Sequence, residues 1–329
     1  MSSHYVVTGA TGFLGGRLTE VLRSQNKSVI ALGRNSEKGA RLADLGAAFH
    51  SVSLSNRAKL ETLIPKDSIV IHCAALSSPW GKETEFYNHN VLGTRNIGTA
   101  ALSQKAARFI HISTPSVYVS RGSRLGIREE EALPPKMINL YAQSKLMAEK
   151  EIELLSGLGL PVITLRPQGI FGPKDPSILP RLIRVAKKGF IPVIGEENVQ
   201  IDLTYVDNVV DSILAAVDAG DEALGQKFNI TNGEPIHQHE TLRKLLEQIG
   251  LPVKDKTIPL KTAERVARTL EFAYRNLPIP GEPLLTLYSV YTLAFSRTLD
   301  IARARRLLKY NPQVSFQEGL ERYVRWYKQ

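Results

Sequence analysis

Cysteine is nearly missing from this chain: Cys73 is the only one in 329 residues. A lone thiol makes no internal disulfide and fits a reducing compartment. Long apolar runs are missing as well. No stretch of about 18 uncharged apolar residues occurs, so no membrane-spanning helix is expected. Met1 to Thr8 lack a basic stretch followed by a long apolar one, so no signal peptide is expected and the protein reads as cytoplasmic. No metal site is expected. Low-complexity segments and internal repeats are absent. With 43% hydrophobic and 22% charged residues, the chain can bury a large core rather than stay disordered.

A concentrated basic stripe is also absent, although the net charge is +10. Residues 1–165 carry 19 basic and 13 acidic side chains, and the remaining 164 carry 23 and 19. An excess spread this evenly argues against a nucleic-acid partner. It does attract anions, including phosphate-bearing cofactors and acidic substrates. The densest part, 261–309, has nine basic and four acidic residues. Contact there with a membrane surface or with an anionic substrate stays open.

What is present is an alternation of short apolar runs and helical patterns. Tyr5-Val6-Val7, Val29 to Leu32, Ile69 to Ile71, Phe109 to Ile112 and Val162 to Leu165 read as strands. Phe13 to Leu22, Ser36 to Leu45, Glu83 to Gln104 and Leu140 to Leu155 read as helices. Continuous apolar strands separated by helices predict a doubly wound parallel sheet of the Rossmann type, an α/β fold. The rhythm breaks at Pro173, Pro176 and Pro180 and returns briefly over Leu203 to Ile230. Residues 1–172 plus 201–232 are therefore expected to form the dinucleotide-binding domain. Residues 173–200 plus 233–329 would form a smaller, mainly C-terminal substrate domain over the sheet's carboxyl edge.

Thr8-Gly9-Ala10-Thr11-Gly12-Phe13-Leu14-Gly15 joins the first strand to the first helix. Glycines at 9, 12 and 15 allow a tight turn and close approach to a pyrophosphate, and the helix start presents free N–H groups. Gly9, Thr11, Gly12, Phe13, Leu14 and Gly15 are the expected phosphate cradle. The second strand ends Gly33-Arg34-Asn35-Ser36, with Lys38 close behind. No carboxylate stands there for the ribose hydroxyls of NAD, whereas Arg34 suits a 2′-phosphate. NADP(H) is the expected cofactor, with NAD(H) as the alternative and Arg34, Asn35 and Lys38 around the phosphate. Tyr141 and Lys145 stand four apart at the start of a helix, so phenol and ammonium share a face. A nearby ammonium would lower the phenol's pKa from about 10 toward the working range of acid–base catalysis. Ser113, Thr114 and Ser116, after the fifth strand, offer hydroxyls to a carbonyl oxygen.

These motifs make the chain resemble the extended short-chain dehydrogenase/reductases nearly end to end. The likeness also rests on His72-Cys73-Ala74-Ala75, Asn90-Val91, Gly93-Thr94, Val117-Tyr118, Arg166-Pro167 and Phe171-Gly172-Pro173. It implies that Thr114 takes the catalytic Ser/Thr place, that Tyr141 is the general acid, and that Lys145 holds the nicotinamide ribose. It further implies that Ala74, Ala75, Asn90, Pro167 and Ile170 line the cofactor cleft. Ser53-Leu54 occupies the place where the family often has Asp-Leu near the adenine. Pro115-Ser116 stands where sugar-nucleotide dehydratases carry Asp-Glu, which argues against dehydration. Ile201-Asp202 stands where nucleotide-sugar enzymes place an arginine before the aspartate, and no second arginine is evident, which argues against a pyrophosphate substrate. Leu165 to Pro173, Leu203 to Val210 and Asn229 to Pro235 resemble the 3β-hydroxysteroid dehydrogenase-like branch, and among bacterial groups the 2-alkyl-3-oxoalkanoate reductases. The resemblance implies a hydride transfer to or from a hydrophobic 3-oxo or 3-hydroxy compound. A nucleotide-sugar epimerase and a non-catalytic NADP-sensing protein are the alternatives, and a homodimer stays open.

Overall fold

The computed structural model describes residues 4–195 and 198–329. Met1 to Ser3, where the signal-peptide reading begins, and residues 196–197, within the expected substrate domain, lie outside them. The β-branched runs become the inner strands of a seven-stranded parallel sheet. Its strands are β1 (Tyr5–Thr8), β2 (Val29–Gly33), β3 (Ala48–Ser51), β4 (Ile69–His72), β5 (Arg108–Ile112), β6 (Val162–Pro167) and β7 (Lys227–Ile230). Their order is 3-2-1-4-5-6-7, that of a Rossmann sheet with one added strand. Successive side chains point to opposite faces, and both faces are covered. Val7, Ala31, Ile71, Ile110 and Ile163 join one core, and Val6, Leu32, Val70, Phe109 and Val162 the other. Sequence reading does not separate β3, because this edge strand is half-buried at most and carries no apolar run.

The flanking helices are α1 (Phe13–Ser24), α2 (Ser36–Asp44), α3 (Gly93–Ser103), α4 (Leu140–Gly157) and α5 (Val206–Asp218). The helix expected over Glu83 to Gln104 is interrupted. One turn at Glu83–Phe86 passes into a π turn at Tyr87–Leu92 before α3 begins. That wide turn carries Asn90, whose carbonyl accepts the Thr94 hydroxyl at 2.6 Å.

Over the carboxyl edge lie α6 (Leu260–Asn276), α7 (Leu287–Ala294) and a four-stranded sheet in the order 236–237, 200–201, 297–299, 124–127. Arg124–Ile127 reaches this small sheet from the chain segment that follows β5, and sequence reading did not foresee it. In the other direction, Phe316, Leu320, Tyr323 and Val324 of the last helix join the core of the large sheet with Phe171 and Tyr205. Among the described residues, no helix is long and apolar enough to cross a membrane. Nor do these residues include a group of three or more His, Cys, Asp or Glu side chains placed to hold a metal.

Candidate active site

Seven strands running the same way bring their carboxyl ends to one edge, and the expected site residues meet there. After β1, Gly9 adopts φ +66°, and a Cβ on it would stand 2.8 Å from the Ala74 backbone at the end of β4. The turn is therefore packed against the next crossover. A Cβ on Gly15 would stand 2.4 Å from the Gly9 carbonyl oxygen, so α1 starts as close to the turn as a backbone can. Gly12 caps α1 with no side-chain hydrogen bond, leaving the first N–H groups of the helix to an anion. These features fit a dinucleotide pyrophosphate, a fit that comes from local backbone geometry.

The residues after β2 divide. Arg34 and Lys38 are exposed. The Asn35 side chain accepts the Lys38 N–H at 2.9 Å and so caps α2. Ser53 is exposed and its hydroxyl meets that of Ser55 at 2.9 Å. The Leu54 carbonyl accepts from Asn96 at 2.8 Å.

Below the cleft, His72 is fully buried between Thr8, at 2.7 Å from Nδ1, and Thr94, at 2.9 Å from Nε2. Thr94 donates onward to the Asn90 carbonyl, so Nε2 carries the ring proton and Nδ1 accepts from Thr8. Burial, helped by Lys145, lowers the His72 pKa to about 3, which keeps this imidazole neutral. Asn90 does not simply face the cleft. It accepts the Leu76 N–H at 2.7 Å, donates to the Leu76 carbonyl at 3.2 Å, and donates to Ser144 at 2.9 Å. It thus clamps the loop after β4 to α4. Ala74 and Ala75 lie on that loop, and Pro167 ends β6 with Ile170 just beyond. Burial pushes the Cys73 thiol up to about 12, which leaves it no thiolate chemistry at neutral pH.

Asn139 caps α4 through the Ala142 N–H at 2.8 Å, so Tyr141 and Lys145 lie on the first turns of a well-started helix. Lys145 is buried, and its Nζ donates to the Ile112 carbonyl at 2.7 Å. Burial lowers its pKa to about 8 against the pull of Glu149. Burial raises the Tyr141 pKa, while the hydroxyls of Thr114 and Ser77 pull it down. The expected depression by Lys145 is not what the structure shows: the ammonium serves the β5 carbonyl, and the neighbouring hydroxyls act on the phenol instead. From Thr114 the contacts continue. Its hydroxyl donates to Ser116 at 3.0 Å, and Ser116 meets the Tyr288 hydroxyl of α7 at 3.2 Å.

A buried ion pair supports this line from behind. Arg166 on β6 holds both oxygens of Glu149 on α4, at 2.8 and 2.5 Å, and Ser113 donates to Glu149 at 2.5 Å. Sequence reasoning missed Ser77, Tyr288 and Arg297, which arrive from distant parts of the chain. Arg297 is the Cα partner of Ile201 on the adjacent strand. The strand beside Ile201 thus carries an arginine at a position that the sequence alone did not single out. Trp80 packs against α6, edge-on to Tyr274 at 6.4 Å and beneath the Arg275 guanidinium at 5.5 Å.

The sequence matches the NAD dependent epimerase/dehydratase family over residues 5–231. It is 32% identical over 328 residues to a 2-alkyl-3-oxoalkanoate reductase of Stenotrophomonas maltophilia, covering 96% of this chain and 97% of that one. It is 34% identical over 348 residues to 3beta-hydroxysteroid-dehydrogenase/decarboxylase isoform 1 of Arabidopsis thaliana, covering 97% of this chain and 78% of that one. A crystal structure of UDP-glucuronic acid 4-epimerase from Bacillus cereus in complex with NAD is similar with a TM-score of 0.76. That likeness spans 99% of this chain and 98% of the other at 23% identity, and so shows the fold alone. The chain belongs to the NAD dependent epimerase/dehydratase family, the extended short-chain dehydrogenase/reductases, and is an oxidoreductase acting on a CH–OH or C=O group.

Proposed function

We propose that the protein is an NADP(H)-dependent ketoreductase or alcohol dehydrogenase for a hydrophobic 3-oxo or 3-hydroxy compound, such as a 3-oxo acid or a sterol-like molecule. The observation that carries this reading is the Tyr141 phenol set beside Thr114 and Ser77 at the sheet's carboxyl edge, with the Lys145 cation buried in the same helix turn. The names of the relatives support the substrate class. Residues 1–172 plus 201–232 would hold the dinucleotide, and 173–200 plus 233–329 the substrate.

When bound, the nicotinamide cofactor supplies or takes up the hydride. The N–H groups at the start of α1 would hold its phosphates, and Arg34 would offer a guanidinium to a 2′-phosphate. During reduction, negative charge develops on the substrate oxygen. Tyr141 holds its proton at neutral pH because burial raises its pKa, and it gives that proton to the oxygen as the charge forms. Thr114 and Ser77 orient the phenol and the substrate oxygen. Lys145, held on the Ile112 carbonyl, would bind the nicotinamide ribose.

The test is steady-state NADPH oxidation against 3-oxo acids, steroid ketones and UDP-sugars. Tyr141→Phe should lower kcat on the reduced substrate by about 10²–10⁴-fold, the range of general acid catalysis, with cofactor affinity by fluorescence barely changed. Near-native turnover by that variant would overturn the mechanism. Conversion of a UDP-sugar without net cofactor turnover would establish the epimerase reading instead.

A further inference from the structure

Arg297 is 5% exposed, and its Nε and Nη2 have no hydrogen-bond partner among the described residues. These two nitrogens form one edge of the guanidinium, whose parallel N–H groups match the two oxygens of a carboxylate. Three other arginines of this protein use the same edge in that way. Arg166 meets Glu149 through Nε at 2.8 Å and Nη2 at 2.5 Å, Arg95 meets Glu151 through Nε at 2.8 Å and Nη2 at 2.6 Å, and Arg17 meets Asp207 through Nε at 2.6 Å and Nη2 at 3.3 Å. No carboxylate of the described residues does this for Arg297. Its charge is opposed by burial and by Arg124 and is favoured only by Tyr288. Arg124 itself is taken by Glu131 at 2.6 Å, and Asp202 accepts the Leu299 N–H at 2.9 Å. A buried guanidinium without a counter-charge is costly, so a fold that keeps one has a use for it.

Its location says what the use is. Gln168, just beyond β6, donates to the Arg297 carbonyl at 3.3 Å, which ties this strand to the sheet edge. Leu299, two residues on, packs with Val117 and Tyr118 next to Ser116. Tyr288 favours the Arg297 charge, and its hydroxyl meets Ser116, which in turn accepts from Thr114, so the guanidinium lies by the far end of the line Tyr141, Thr114, Ser116, Tyr288. In a 3-oxo acid a single carbon separates the carbonyl from the carboxylate. With the carbonyl oxygen at Tyr141 and Thr114, the carboxylate extends along that line. We propose that Arg297 anchors the carboxylate of the substrate, which makes the free 3-oxo acid the preferred class. This rests on the ketoreductase reading and narrows it.

The first measurement is calorimetry with NADP+ present, using decanoate and 2-decanone on the native protein and on Arg297→Gln and Arg297→Lys. Decanoate should bind the native protein more tightly than 2-decanone. Its Kd should rise about 10- to 100-fold in Arg297→Gln and less in Arg297→Lys, the scale of a charge-assisted bidentate contact. The second is NADPH oxidation with 3-oxodecanoate and with its methyl ester. The native protein should favour the acid by about tenfold or more in kcat/KM, and Arg297→Gln should erase that preference through KM. Equal use of acid and ester by the native protein overturns the anchor without needing any variant to fold, and leaves the ketoreductase reading standing. Decanoate binding that depends on Arg297, with neither oxo compound reduced, keeps the carboxylate site and overturns the ketoreductase reading. UDP-glucose binding that depends on Arg297, with no decanoate binding, assigns the guanidinium to a phosphate and overturns the proposal.

Discussion

At the scale of single residues, the proposed preference for NADP(H) rests on a side chain that no hydrogen bond or ion pair engages among the described residues. Arg34 is exposed at the end of β2, whereas its neighbour Asn35 is committed to capping α2. Arg34→Ala should therefore weaken NADPH binding by roughly ten- to a hundredfold, the loss of a charge-assisted hydrogen bond, while NADH binding stays near its native value. Fluorescence titration with the two cofactors measures this. Equal losses for both, or tighter NADH binding by the native protein, would refute it. The Tyr141/Lys145 pair was legible in the sequence because both residues sit on one helix turn and their spacing alone puts them on one face. The effect of one on the other was not legible. It depends on the Ile112 carbonyl and on Ser77, both of which come from other elements.

At the scale of elements, the site depends on β5, α4 and β6 keeping their mutual register, and the Glu149–Arg166 pair enforces it. Burial raises the Glu149 pKa, but Arg166, Ser113 and Lys227 together hold it below the ordinary carboxylate value, so the pair is charged at neutral pH. Glu149→Ala leaves Arg166 buried beside Tyr118 with no counter-ion and should cost about 3–5 kcal/mol in urea unfolding. The double variant Glu149→Leu/Arg166→Met should lose clearly less, since no unpaired charge remains. If the double variant loses as much as the single one, the pair matters through packing rather than charge. The inner strands and their helices were readable because their apolar residues repeat with a local period. Strand β3 and Arg124–Ile127 were not. The first is an exposed edge, and the second is a strand only because Arg297–Leu299 lies alongside it.

At the scale of the whole molecule, two neutral imidazoles in the sheet tie stability to pH. His72 and His111 stack at 5.6 Å and are fully buried. Burial lowers the first to about 3 and the second well below its ordinary value of 6.5. The unfolded chain takes up protons near pH 6.5 that the folded one refuses. Stability is therefore full above that pH and is lost as pH falls toward the folded values, by about 1.4 kcal/mol per pH unit for each imidazole. Melting followed by circular dichroism between pH 7 and 5 should show a steep decline. His111→Leu, which removes two ring nitrogens that have no partner among the described residues, should flatten it. An unchanged slope in that variant would exclude His111 as a source.

The strand Arg124–Ile127 also gives the molecule an order of assembly. Its neighbour Ser123 meets Ser296, 173 positions away, and the small sheet closes only when that late segment is in place. During synthesis the first six strands of the large sheet leave the ribosome well before Arg297–Leu299 does. Arg124–Ile127 leaves with them as a strand whose partner does not yet exist. Loop closure over such a separation is slow, and the exposed edge is open to wrong partners until it happens. The small sheet is thus completed late, and a chain cut short before residue 297 should keep the turn at Gly9 to Gly15 but lack the strand that pairs with Arg124–Ile127.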